Sequence, residues 1–195
     1  MKLKNINQSQ RFIFEFISIS FAVFLGLMLN QWKDTRNNKK LAEQSLTNIT
    51  LEIRGNLNTM LVMHTNHDSL YKSLDSLLTL YPENFPKGMD IDFSLNFSLI
   101  SSTSWEAAKL TKAISSMNIE LVNNLAELYH FQQYFELIVQ EYVLSHIQTN
   151  IKVPDHAFFE NNNFFLKSIT EIEANLVEYY EFLLKEVLAE YTNND

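Results

Sequence analysis

Residues 12–32, FIFEFISISFAVFLGLMLNQW, restrict what this chain can become more than any other stretch. From 12 to 29 there is one charge, Glu15, and the small or polar remainder is Ser18, Ser20 and Gly26. A helix of roughly 20 residues, rising about 1.5 Å each, crosses a hydrocarbon core of about 30 Å, and this run lies at the lower end of that range. It closes on Asn30 and Trp32, and Trp is favoured at headgroup depth. Lys33 and Arg36 follow at once, so Trp32, Lys33 and Arg36 are the expected interface anchors. A cleavable secretory signal has the same basic-then-apolar order, and Ser20-Phe21-Ala22 offers small residues for a cut. Yet the apolar run continues without pause from Ala22 to Leu29, which favours an uncleaved transmembrane helix.

The span has two faces. Ser18, Ala22, Gly26 and Asn30 recur every four residues, a small-x-x-x-small stripe closed by an amide. Small residues let a second helix backbone approach closely, and an Asn hydrogen-bonds across such a contact. Phe14, Ile17, Phe21, Phe24 and Leu25 occupy the other sides and suit lipid tails. Glu15, the intramembrane charge, lies one turn inside the boundary. A carboxylate at that depth reaches interfacial water and sits near a helix N-terminus, where negative charge is favoured. The competing expectation for Glu15 is an ion or proton relay.

Formal net charge is -8, while Lys2, Lys4 and Arg11 precede the span and Lys33, Arg36, Lys39 and Lys40 follow it. The remainder is acidic, which argues against nucleic acid as a partner. Three basic residues on one side and four on the other leave the positive-inside rule undecided by count. The tail 1–11 has no acid and carries the terminal amine, so the expectation is N-terminus in the cytoplasm. That gives a single-pass protein of the cell inner membrane with its bulk on the periplasmic side. With no cysteine there is no disulfide framework and no thiolate site. Three Gly and three Pro in the whole chain point to long helices.

The expected fold is all-α: one N-terminal transmembrane helix, then an antiparallel helical bundle of three long helices and one or two short ones. The segments are a basic tail at 1–11, the transmembrane helix at 12–32, a stalk or first bundle helix at 33–81, a loop at 82–102 and the remaining helices at 103–195. In the stalk, Leu46, Ile49, Ile53, Met60, Met63, Leu70, Leu74 and Leu77 fall on steps of three and four, a heptad-like, coiled-coil type of stripe in which Asn56 and His67 share the seam. An amphipathic helix covering a bundle core is the preferred reading of it; nothing between Thr35 and Tyr81 stops a helix, so span and stalk are expected to form one rod broken or bent near Asn37-Asn38. Pro82, Pro86 and Gly88 open the loop. Ser104 is the expected N-cap of a short helix and Asn118 that of a long one ending before Pro154. A turn at Ala157-Phe158-Phe159 and the Asn run 161–163 then lead to a last helix over 164–191.

Glu15-Phe16 followed by Gly26-x-x-x-Asn30-x-Trp32-x-Asp34-x-Arg36, and then Leu46-x-x-Ile49-x-x-Glu52-Ile53-x-x-Asn56, resembles a family of single-span helical membrane proteins found mainly in Bacteroidota. Ser104-Trp105-Glu106 is similar to a short helix before that family's long central one. The specific part covers about residues 12–56. The resemblance implies a membrane anchor and a helical body; the family has no assigned activity, and so it supplies no active site.

Chemistry-bearing motifs are sparse. Glu127-x-x-His130 is a single E-x-x-H where di-iron bundles use two. His64-x-x-His67-Asp68 sets two imidazoles on adjacent turns without a spacing-matched third ligand. The sequence has no nucleophile elbow, phosphate loop or zinc-protease motif. No catalytic residue, metal ligand or cofactor is assigned. Phe158, Phe159, Phe164, Phe165, Tyr179, Tyr180 and Phe182 are read as core at helix ends, or else as a partner surface or an interhelical pocket. The expected function is a membrane-anchored interaction or scaffold protein, not an enzyme. Its partners are the lipid bilayer and either a second copy, making a homo-oligomer, or another membrane protein. The alternatives are a sensory or ligand-binding module signalling through its span, and an accessory subunit of an ion-driven membrane complex using Glu15.

Overall fold

The computed structural model describes residues 8–86, 88–89, 91–148 and 155–192. Most of the basic tail lies outside them, Lys2 and Lys4 included. Helix α1, Gln8–Leu80, joins the apolar run to the stalk in one unbroken helix of 73 residues. At 1.5 Å per residue it is about 110 Å long. The expected break at Asn37-Asn38 is absent: two Asn lower helix propensity by only a few tenths of a kcal/mol each, and strong helix formers such as Lys39, Lys40 and Leu41 follow.

Helix α1 has two halves. Every residue from 11 to 40 is exposed, and its apolar part is long enough to cross a membrane. From Ala42 onward one stripe turns inward: Ile49, Ile53, Asn56, Met60, Met63, His67 and Leu74 are buried. The stalk is thus the first helix of a bundle, its seam polar at the two positions the spacing predicts.

The chain then returns beside α1. Residues 82–102 contain no helix or strand among the described residues, but they form an ordered strap. Ile91, Phe93, Leu95 and Phe97 are half-buried while Asp92, Ser94, Asn96 and Ser98 face out, the period-two alternation of an extended chain lying on a surface. The Ser98 N–H donates to Met63 Sδ at 3.3 Å. The expected loop is therefore a structural fourth leg of the bundle. Helix α2, Thr103–Leu110, and a 3-10 turn, Ala113–Ser116, continue the descent. Helix α3, Ile119–Gln148, climbs beside them, and the Asn118 side chain accepts from the Glu120 N–H at 2.7 Å as the expected cap. Ile119, counted with the apolar stripe, is 73% exposed because it lies in the first turn, beyond the end of the core.

Helix α4, His156–Phe182, descends and packs on α1 more extensively than any other element does. It starts eight residues before the expected Phe164. Asp155 caps it, accepting the Phe158 N–H at 2.8 Å, so the Asn run is helical and not a turn. Asn162 is buried there: its amide donates to the Phe158 carbonyl and its oxygen accepts from Tyr142. A π-turn at Leu183–Val187, with Leu188 N–H on the Leu183 carbonyl at 2.7 Å, inserts one residue into the helix. The core register therefore passes from Leu183 to Leu188, where the uninterrupted spacing puts Val187. A last turn, α5, Ala189–Thr192, ends the described chain.

Candidate functional site

The exposed half of α1 carries all the sequence-predicted site residues. Ser18, Ala22, Gly26 and Asn30 share a face that nothing covers among the described residues, and a Cβ built on Gly26 meets nothing within 4 Å. The polar members are engaged within the helix: Ser18 donates to the Phe14 carbonyl and the Asn30 amide to Asp34 Oδ2. Arg11 Nε donates to Glu15 Oε1 at 3.2 Å, one turn back toward the basic tail. Glu15 is thus paired instead of alone in the apolar stretch. At the other end the Arg36 guanidinium lies 5.9 Å from the Trp32 ring centroid, and Lys33 stands exposed beside them.

The body holds two polar nodes. In the first, Glu52 of α1 reaches the start of α2. Glu52 Oε2 accepts from the Ser104 N–H and the Ser101 hydroxyl, both at 2.8 Å, and Oε1 accepts from the Tyr129 hydroxyl at 2.7 Å. One helix's carboxylate thus caps another's N-terminus, where the free N–H groups and the helix dipole favour negative charge. Ser104 is not the expected N-cap. It lies inside the helix, Ser102 precedes the first turn without a side-chain bond, and Glu52 does the capping. One turn on, Asn56 pairs reciprocally with the Ser101 backbone, donating to its carbonyl at 2.7 Å and accepting its N–H at 2.8 Å. Trp105 stacks parallel on Tyr129 with centroids 5.3 Å apart. Burial, and then Glu52, push the Tyr129 phenol well above its ordinary range; burial and the charges of Glu136 and Glu52 do the same to Tyr180. The two segments quoted for the family resemblance, Glu52/Asn56 and Ser104-Trp105, therefore meet in space.

The second node lies about three turns further along α1. Glu173 of α4 is fully buried. His67 Nδ1 sits 2.7 Å from its Oε1, and His67 Nε2 sits 3.0 Å from the Asn96 carbonyl of the strap. A carbonyl only accepts, so Nε2 carries a proton and donates it; a second proton lies between Nδ1 and Glu173. His64 Nδ1 approaches the other carboxylate oxygen to 3.8 Å, and both of those atoms lack a hydrogen bond. The pair His64/His67 thus faces one carboxylate, and among the described residues no three acidic, His or Cys side chains are placed to hold a metal ion. Sequence reasoning missed Glu173. The signal was present, since it falls on the Ile169, Leu176, Tyr180 stripe and His67 on the opposing seam.

Glu127 and His130 are both exposed on α3 and do not join a ligand set. Tyr179 donates to the Asn124 carbonyl at 3.3 Å, and burial followed by the neighbouring Glu127 raises its phenol. The aromatics mostly fill the core: Phe159 and Tyr180 are buried, Phe165 stacks on Tyr142 at 3.9 Å, and Phe158 packs edge-to-face on Phe93. Phe164 remains exposed. A cleft of about 400 Å³ between α1 and the strap is lined by Ser, Asn and Asp92 with His67 and Leu70, not by these rings.

Compared with protein-family models, with curated proteins and with solved structures, the chain matches none.

Proposed function

We propose that this chain is a membrane-anchored helical scaffold whose span associates with a second copy through Ser18, Ala22, Gly26 and Asn30. The observation that carries this reading is the exposed half of α1. Phe12, Phe14, Phe16, Phe21, Phe24 and Leu27 are each more than half exposed, and nothing among the described residues covers them. A soluble monomer does not leave a contiguous apolar surface of this size in water. The bilayer covers most of it, and a close-packed helix covers the small-residue face. The resemblance to single-span Bacteroidota proteins agrees with this, as does the basic collar of Lys33, Arg36, Lys39 and Lys40 at headgroup level. The bulk of the chain then lies on the periplasmic face of the inner membrane.

The test has two parts. The protein stays with membranes in alkaline carbonate; release with the N-terminus intact would remove the anchor. In a membrane reporter of span association, Gly26→Leu weakens the signal by inserting a branched side chain between backbones. Asn30→Leu weakens it less, because interhelical hydrogen bonds in lipid average about 0.6 kcal/mol. Leu25→Ala changes little. Equal signals for all variants would leave docking to another protein's span as the use of the stripe.

A further inference from the structure

Because α1 is unbroken, the faces of its two halves are locked in phase. Gly26 and Gly55 are 29 residues apart, about eight turns at 3.6 residues per turn, so they lie on one side. Buried Ile53 is 27 residues from Gly26, about seven and a half turns, and so faces the opposite way. The bundle therefore hangs from the back of the helix relative to the span's small-residue face. A second span approaching that face meets neither α3 nor α4.

The continuation of this face beyond the collar has an unusual composition. Between 44 and 80 the α1 residues on it run through Asn48, Leu51, Gly55, Asn58, Val62 and Asn66, in steps of three and four, and on to Leu80, none of them charged; Ser101, Thr103 and Ser104 border it beside Leu51 and Gly55, and Asp92 of the strap borders it beside Asn66. The six from Asn48 to Asn66 are all exposed, Leu51 and Val62 to 60% and 63%. Residues 41–195 carry eight Lys or Arg against twenty-one Asp or Glu. Two such bodies repel one another through most of their surfaces, and an uncharged strip on each is where they approach without like charges opposed.

We infer that a second copy of this chain docks along the α1 face of Leu51, Gly55 and Val62, making a parallel two-fold dimer with the bundles splayed outward on either side of a continuous α1–α1 seam. This inference rests on the self-association proposed above and extends it from the span to the body.

The chain has no cysteine, so single cysteines report the seam directly in native membranes. Full-length Ala22→Cys, Gly55→Cys and Val62→Cys are compared with Glu141→Cys on α3 and Glu178→Cys on α4 under mild oxidation. A disulfide needs Cα atoms within about 7 Å, so the three seam positions are expected to give about tenfold more dimer than the two controls. Linkage at 22 but not at 55 or 62 leaves span association standing and overturns the seam. No linkage at any of the three overturns both. A 55 or 62 adduct with a protein of different mass, or linkage at 141 and 178 equal to that at 62, overturns the second copy as occupant of this face.

Discussion

Removing either member of the His67–Glu173 pair destabilises the body far more than removing both. Glu173 is completely buried and His67 nearly so, with the pair joined at 2.7 Å. In His67→Leu the carboxylate keeps only His64 at 3.8 Å, and in Glu173→Met the His67 Nδ1 loses its partner. Breaking a buried pair by deleting one side costs about 3–5 kcal/mol, because the remaining group is left in low dielectric without compensation. Replacing both by apolar residues of similar volume is near neutral, and here it newly leaves the Asn96 carbonyl unpaired, a penalty of about 1–3 kcal/mol, beside His64 Nδ1, which has no hydrogen bond already. The double variant His67→Leu/Glu173→Met is therefore expected to be more stable than either single, with a coupling of about 3 kcal/mol or more in a double-mutant cycle. Urea unfolding of the full chain in detergent, followed by fluorescence of the buried Trp105, measures all three. Singles costing less than about 1 kcal/mol, or a double equal to the sum of the singles, would refute the reasoning that this pair is a buried, mutually dependent unit.

Glu52→Ala should cost about 3–5 kcal/mol in the same assay, since it strips the Tyr129 hydroxyl, the Ser101 hydroxyl and the Ser104 N–H of one acceptor group, while Tyr129→Phe should cost about 1–2. Asp155→Ala removes the α4 cap and should cost about 1 kcal/mol, with helix content by circular dichroism otherwise unchanged. Alkali should unfold the body steeply: Tyr142 is pushed up to about 12 by burial, and Tyr129, Tyr179 and Tyr180 are raised as well. Because folding raises these phenols above their unfolded value near 10, the stability they confer is complete below about pH 10 and is lost as pH rises through the folded values. Tyrosinate absorbance that rises together with loss of helicity above pH 10 checks this; gradual ionisation of all the tyrosines in a folded body would contradict it.

The parts of this fold that sequence made legible are those that repeat. The α1 seam from Ile49 to Leu74 is buried at Asn56 and His67 as well as at its apolar positions, Leu70 being only half-buried, because a buried stripe must recur every three or four residues. Boundaries set by single contacts were less legible, the Asn118 cap excepted. The Asn run 161–163 is low in helix propensity, but Asp155 supplies the cap, and Asn162 and Asn163 are held by Tyr142 and Asp75. The α2 cap comes from Glu52, about fifty positions earlier in the chain, and no local pattern around Ser104 encodes that. A charged residue on a helix stripe is ordinarily read as solvent-facing, which hid Glu173 until the His67 seam was seen to oppose it.

The strap and α4 arrive late. His67 and Glu173 are 106 positions apart, and α4 supplies the most extensive surface against α1. At a synthesis rate of about 5–20 residues per second, roughly 5–20 s separates the emergence of the α1 seam from that of the helix that covers it. Until α4 is made, Ile49, Ile53, Met60 and Met63, all buried in the complete fold, lack the helix that packs most extensively on α1. The strap, synthesised between the two, carries its own contacts to that seam through Met63, Asn56 and His67, none of which needs α4 as a partner. In time as well as in space it is the first lid on the core.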